Sequence, residues 1–512
     1  MDRYEWSPEP ELIDFSDPDR SRESLEAFGE AIWREALDWL YGQAMRRPIR
    51  REPYPEARRA FFGPDGEPAA APERPAPWPE VLAEFRERVA PATYNAQHPG
   101  SFSYFTPPPL PMSIGGEVLA QWLHQGIDVW HAGPIGAFVE EEVVSWLRDL
   151  AGFGAGSWGV LTSGGVMANL MALAVSREVH LAELRGLEPG RAPRGADLED
   201  VRVYASDQTH FSIGRALDLL GFPENTLEIL PSDERFRLRG SVVADAVSSD
   251  RAAGLTPLAI TAVSGSTNTG SVDLVEELAE VAEREGMWLH VDAAYGGAVR
   301  LSERDRGRVP GLERANSVTI DPHKWFFQAY DIGALVVRRR EDLRTTFHRE
   351  PEYYRSNRPE DEPLNWYQYS LEGTRRFRAL KLWMSWKHLG TYGLGQLIEH
   401  NNDLAAYFAA RCAEEPDFEA NPAEPELSVV CFRHLPEGYE SMAPESLDRY
   451  ETALQRALEE SEQAWVSTTT LRGRTYLRAG IMNYLSTEAD VDRMIDTLRG
   501  LSQAVLASSK SD

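Results

Sequence analysis

The sequence is nearly without lysine. Its 53 basic residues are arginine apart from Lys324, Lys381, Lys387 and Lys510, and a guanidinium, unlike an ε-amine, cannot lose its proton and act as a nucleophile. Cysteine is scarce too. Cys412 and Cys431 are the two in 512 residues, so no disulfide framework is implied. Positive charge is outweighed, with a net charge of −28, which argues against nucleic acid or an anionic membrane surface as partner. No apolar run reaches membrane-spanning length, and the start, Met1-Asp2-Arg3-Tyr4-Glu5, lacks the apolar core of a signal peptide. A cytoplasmic protein is expected, with no metal and with a small molecule as its ligand.

Hydrophobic residues make up 42% of the chain and aromatics 10%, as in a globular protein, and the length exceeds one ordinary domain. Three units are expected. Residues 1–95 hold helices at 21–39 and 78–89 around an extended, Pro- and Arg-rich stretch at 46–79. Residues 96–395 alternate between strands (159–162, 201–205, 226–230, 257–262, 288–291, 317–320, 333–337) and helices (167–185, 212–220, 241–253, 273–286). That alternation predicts a mostly parallel sheet with helices on both faces, an α/β architecture. A helix is expected over 375–389. Residues 396–512 read as a smaller α+β unit, with helices at 396–414, 444–462 and 487–506 and a hairpin turning at Arg472-Gly473-Arg474. The polar, proline-containing stretch 347–369 is long enough for a lid.

Asp321-Pro322-His323-Lys324-Trp325-Phe326 holds one of the few lysines. A lone lysine is usually solvated, but this one follows a histidine and precedes two large aromatics. Upstream, the apolar run in Trp288-Leu289-His290-Val291-Asp292-Ala293-Ala294 ends in a carboxylate, as a buried parallel strand does where open α/β sheets bind ligands. A strand-end aspartate and a lysine in aromatic surroundings are the pair that pyridoxal phosphate requires: the lysine forms the Schiff base, and the carboxylate keeps a proton on the ring nitrogen. Val160-Leu161-Thr162-Ser163-Gly164-Gly165 runs from a strand into a helix, and bare N–H groups at a helix start suit a phosphate. His210, after another short strand, is placed to stack on a flat ring.

These stretches, with Gly265–Asp273, Glu350-Pro351-Glu352-Tyr353 and Arg375-Arg376-Phe377-Arg378-Ala379-Leu380-Lys381, resemble the group II pyridoxal-phosphate-dependent decarboxylases, the family of aromatic-L-amino-acid and glutamate decarboxylases. Their order and spacing match across residues 15–500. The resemblance implies a fold type I (aspartate aminotransferase-like) PLP-dependent enzyme. It further implies a homodimer whose N-terminal helices pack across the partner and whose active site lies at the subunit interface. It makes Lys324 the Schiff-base lysine and Asp292 the partner of the pyridine nitrogen. Ala294 would lie beneath the ring and His210 would stack above it and orient the substrate carboxylate. Gly164, Gly165, Ser266 and His323 would surround the phosphate, and Tyr353, on a mobile loop, would protonate the carbon left after CO2 departs. Tyr104, Phe105 and Pro107, in a rigid aromatic–proline segment, would lie near the substrate. The chain departs from the animal aromatic decarboxylases in having Gly164-Gly165 for Ser-Ala, Asp321 for Asn and Gly373-Thr374 for Leu-Gly. These departures spare the cofactor chemistry and bear on the substrate. The expected activity is decarboxylation of an aromatic amino acid (Trp, Tyr, Phe or Dopa). The alternatives are a glutamate- or aspartate-type decarboxylase, which needs an additional pocket cation, and a PLP-dependent aldehyde synthase. The arginines of the 375–381 motif are expected to form salt bridges.

Overall fold

The computed structural model describes residues 18–42, 46–49, 52–349, 352 and 364–508. Its centre is a seven-stranded sheet. The strands are β1 (Trp158–Thr162), β2 (Val201–Ser206), β3 (Leu227–Leu230), β4 (Thr256–Val263), β5 (Trp288–Asp292), β6 (Ser317–Ile320) and β7 (Gly333–Val337). Their spatial order is β1-β7-β6-β5-β4-β2-β3. The pairs β2–β3, β2–β4, β4–β5 and β5–β6 are parallel, and β7 runs antiparallel to both its neighbours. Strands β1 to β6 therefore point one way, and Thr162, Ser206, Val263, Asp292 and Ile320 end at the same edge. Strands β5, β6 and β7 are buried along their whole length, because helices cover both faces; this is why they read as continuous apolar runs.

A second sheet, order β10-β11-β9-β8, is antiparallel throughout. It comprises β8 (Phe418–Ala420), β9 (Val429–His434), β10 (Ser467–Leu471) and β11 (Arg474–Gly480). With helices Pro444–Ser461 and Glu488–Ser508 it encloses its own core of Phe408, Phe432, Leu454, Leu477 and Ile495. The mostly parallel sheet and the smaller α+β region are those the sequence predicts.

Two local expectations need correction. The 46–79 stretch is not wholly extended: Tyr54–Phe62 is a helix with proline in its first turn. Proline at that position is pre-set for a helix, so Pro53 and Pro55 start the element that their presence seemed to forbid. The helix expected over 375–389 begins at Ala379 and belongs to a run, Ala379–Glu414, interrupted only at Gly390 (φ 65°, ψ 173°). Residues 375–378 stay out of the helix and extend their arginines into ion pairs. Arg375, fully buried, donates to Glu140 at 2.5 Å and to the Leu161 carbonyl at 2.7 Å, fastening helix Pro134–Leu150 to the end of β1. Arg376 bonds Asp331 at 3.0 Å and Arg378 bonds Glu372 at 2.7 Å. Stripping one partner from a buried pair such as Arg375–Glu140 costs about 3–5 kcal/mol. Among the described residues no helix is long and apolar enough to cross a membrane.

Candidate active site

A cavity of about 390 Å³ opens at the C-terminal edge of the large sheet. Its walls are Ser163–Met167 and Asn169 after β1, Gln208, His210 and Phe211 after β2, Gly265 and Thr267 after β4, Asp292, Ala294 and Tyr295 at the end of β5, and Asp321, His323 and Lys324 after β6. The sheet topology thus gathers residues from five separate strand ends. Lys324, His210, Asp292, Ala294, Gly164, Gly165 and His323, all singled out from the sequence, come together here.

Lys324 is held by its neighbours. Trp325 is buried, donates its indole N–H to Asn401 at 2.9 Å, and stacks on Tyr295 at 4.7 Å. Phe105 stacks on the far face of Tyr295 at 4.3 Å, and the Arg478 guanidinium lies 4.7 Å over Phe105. One column of flat groups therefore fixes both the Ala294-Tyr295 turn and the Lys324-Trp325 turn. The Lys324 ammonium stands 3.2 Å from the Asp321 carboxylate.

Asp321 and Asp292 terminate adjacent strands but are treated differently. Asp292 accepts from the Ala294 N–H at 3.1 Å and from the Asn169 amide at 2.7 Å. Asp321, 2% exposed, leaves Oδ1 with no hydrogen-bond partner. Its space is made by glycines: a Cβ on Gly165 would lie 2.8 Å from Oδ2, and one on Gly333 2.8 Å from Oδ1. Gly165 and Asp321 thus share one niche. At this same N-terminal end of the helix, Ala168 N–H makes the first intrahelical bond, to Gly164, so the N–H groups of Gly165, Val166 and Met167 precede it and carry the positive end of helix Gly165–Val175.

Burial lowers the pKa of both cavity histidines. For His210 the Asp292 charge partly offsets the desolvation, and for His323 Asp321 does so. His290, beneath the cavity, is fully buried and likewise pushed down. In all three, burial favours the neutral imidazole.

Some predicted residues stand elsewhere. The Ser266 hydroxyl is turned into its own loop, 2.8 Å from Thr269 Oγ1 and 2.9 Å from Ser271 Oγ, and Thr267 lines the cavity in its place. Phe105 lies one layer back, behind Tyr295; Pro107 is buried; Tyr104, 56% exposed, packs edge-on against Trp465 at 4.9 Å. Tyr353 lies outside the described residues, as does most of the expected 347–369 lid. Asn169, Thr319 and Ser212, which orient these groups, do not stand out in the sequence. A signal existed: Asn169 is the one polar side chain in the apolar helix Gly165–Val175.

The cavity fits pyridoxal phosphate. It pairs a lysine amine with a strand-end carboxylate whose oxygens are already held, offers unbonded N–H groups at a helix start for a phosphate, and has the volume of a small-cofactor site. The profile of the pyridoxal-dependent decarboxylase conserved domain matches residues 63–435. An aromatic-L-amino-acid decarboxylase of Bacillus atrophaeus is 32% identical over 433 residues, covering 84% of this chain and 87% of that protein. An L-2,4-diaminobutyrate decarboxylase of Acinetobacter baumannii is 32% identical over 354 residues, covering 67% and 69%. The crystal structure of Oryza sativa TDC with PLP and tryptamine superposes with a TM-score of 0.87 at 24% identity, covering 96% of this chain and 99% of that one, and so shares the fold. The chain belongs to the pyridoxal-phosphate-dependent decarboxylase family. It is a fold type I amino acid decarboxylase with pyridoxal phosphate as its cofactor.

Proposed function

We propose that the protein decarboxylates an aromatic L-amino acid to its amine and CO2, with Lys324 carrying the cofactor. The observation that carries this assignment of roles is the meeting of Lys324 and Asp292 in one cavity beside an open helix start. Bound pyridoxal phosphate supplies an electron sink for the pair left by departing CO2. Asp292, acceptor of two hydrogen bonds, would face the ring nitrogen. Ala294 and His210 present the two faces between which a flat ring fits. Gly164 and Gly165 keep the helix start bare for the phosphate, with His323 beside them. Lys324, its amine beside the Asp321 carboxylate, would anchor the cofactor. Tyr353 is assigned the proton delivery to Cα on the strength of the sequence resemblance.

Aromatic specificity is supported by the lining. Among the described residues no arginine lines the cavity, so the carboxylate of a glutamate or aspartate side chain meets no guanidinium there. Val166, Met167, Phe211 and Tyr295 do line it and suit an aromatic ring. The B. atrophaeus relative supports the same choice.

We also propose a homodimer. A second cavity of about 1010 Å³ lies between the N-terminal helices and is lined by Phe28, Trp33, Leu37, Trp78 and Phe85, among others. Trp122 and Ile135, 72% and 69% exposed, extend this apolar character to helices Pro111–Leu123 and Pro134–Leu150. Apolar surface on this scale marks an interaction face.

The test is CO2 and amine release, with added pyridoxal phosphate, from Trp, Tyr, Phe, Dopa, Glu, Asp, His and L-2,4-diaminobutyrate. Turnover confined to the aromatic substrates is expected. Turnover of Glu or Asp would refute aromatic specificity. Turnover of diaminobutyrate alone would replace it with a basic substrate. Aldehyde and ammonia in place of amine would refute the role given to Tyr353.

A further inference from the structure

Asn169 sits at the crossing of two hydrogen-bonded chains, and the direction of every bond in them can be deduced. The Asp292 carboxylate accepts at Oδ2, and the Asn169 NH2 group faces it. That nitrogen donates to Asp292 Oδ2 at 2.7 Å and to Ser212 Oγ at 2.9 Å. Asn169 Oδ1 then accepts, from Thr319 Oγ1 at 2.7 Å and from His290 Nε2 at 3.0 Å. His290, neutral, therefore has its proton on Nε2, and its Nδ1 accepts from the Ser317 hydroxyl at 2.9 Å. Ser317 in turn accepts the Trp288 indole N–H at 2.9 Å. All of Asn169's donors and acceptors are used, and Asn169, Ser212, His290, Ser317 and Thr319 are buried.

The second chain leads to the cavity. Ser212 Oγ has accepted from Asn169, so its own proton goes to His210 Nδ1 at 2.8 Å; the Ser212 backbone N–H points to the same nitrogen at 3.3 Å. His210 Nδ1 is thus an acceptor, and the ring carries its proton on Nε2.

We infer that Asn169 is a positioning residue which, through Ser212, locks His210 in the Nε2–H form so that His210 serves the substrate's α-carboxylate as an N–H donor. The same amide donates to Asp292 Oδ2, so one buried side chain orients both of the cavity's polar ends. The inference rests on the decarboxylase reading for the identity of the carboxylate. The tautomer itself rests on the hydrogen bonds alone. His210 so held has no free lone pair at Nε2, so toward the cavity it acts as a donor and not as an acceptor.

The test is ¹⁵N NMR of the holoenzyme with labelled histidine, with His210 assigned by the signal lost in His210→Gln. At neutral pH His210 is expected to show an unprotonated Nδ1 and a protonated Nε2. Ser212→Ala should bring the two tautomers into exchange and raise the substrate KM about tenfold, the effect of one lost hydrogen bond to a charged group. It should leave the affinity for pyridoxal phosphate within about twofold, since Asp292 keeps its bond to Asn169. Asn169→Leu should do both: disturb the His210 tautomer and weaken cofactor binding about tenfold or more. A wild-type His210 protonated on Nδ1, or on both nitrogens at neutral pH, would overturn the inference. So would variants that change neither the spectrum nor KM. The spectrum does not depend on turnover, so failure of the decarboxylase reading would show as missing products with the His210 signature intact.

Discussion

The two aspartates of the cavity end neighbouring parallel strands, yet only one has both carboxylate oxygens hydrogen-bonded. Both oxygens of Asp292 accept hydrogen bonds, from Ala294 and Asn169, and Asn169 is itself fully satisfied. Asp321 has the Lys324 ammonium on one oxygen and nothing on the other, in a niche cleared by Gly165 and Gly333. A buried charge is tolerated only when it is paired or hydrogen-bonded. Asp292 meets that condition through groups that stay put. Asp321 meets it through the lysine that the chemistry uses. A fixed carboxylate suits a role that must persist through the reaction, and the Asp321 end is where charge can be redistributed.

Substitution separates the two ends. Asp292→Asn keeps the shape and removes the charge; kcat/KM is expected to fall by about 10²–10³, the scale of losing one preorganised electrostatic contact. A smaller loss in steady-state assays would place the decisive charge elsewhere. Gly165→Ala brings a methyl to within 2.8 Å of the Asp321 carboxylate and should cost about 1–3 kcal/mol in urea unfolding. In an Asp321→Ala background most of that cost should vanish, and additive losses would mean the two residues do not share the niche. The pH dependence probes both ends together. Burial lowers the pKa of His210 and His323, so as pH falls below about 6.5 the unfolded chain binds protons before the folded one does. Stability should therefore rise with pH across that acid window and level off near neutrality. Urea midpoints that are flat, or higher in acid, would contradict the burial. The smallest effect is expected for Asp321→Asn, which retains the shape and gives Oδ1's position no charge to leave unpaired: kcat within about tenfold of wild type.

The main chemistry was legible in the sequence because it is carried by residue types that are rare where they stand: a lysine in a chain of arginines, and a carboxylate closing an apolar strand. The sheet was legible because strands covered on both faces are continuous apolar runs. What was not legible depends on contacts between distant segments. Asn169, Thr319 and Ser212 are ordinary polar residues until the fold brings them to one point, although a single amide in an apolar helix was a visible clue. Ser266 and Thr267 are adjacent and chemically alike, and only the course of the Gly265–Gly270 loop decides which faces the cavity. Phe105 was read as substrate wall from its aromatic–proline setting; the stack with Tyr295 and Arg478 depends on β11, far along the chain. The helix Tyr54–Phe62 was hidden by the prolines that begin it.

The scarcity of lysine makes one measurement decisive. Reducing the protein with borohydride in the presence of pyridoxal phosphate fixes the cofactor covalently to its lysine, and peptide mass mapping then has only Lys324, Lys381, Lys387 and Lys510 to distinguish. Lys381 and Lys387 are engaged by Glu117 at 2.9 Å and Glu142 at 3.0 Å. The label is expected on Lys324 alone, with loss of both label and turnover in Lys324→Ala. Labelling of another lysine, or a Lys324→Ala protein that still takes the label and turns over substrate, would contradict the placement of the chemistry in this cavity.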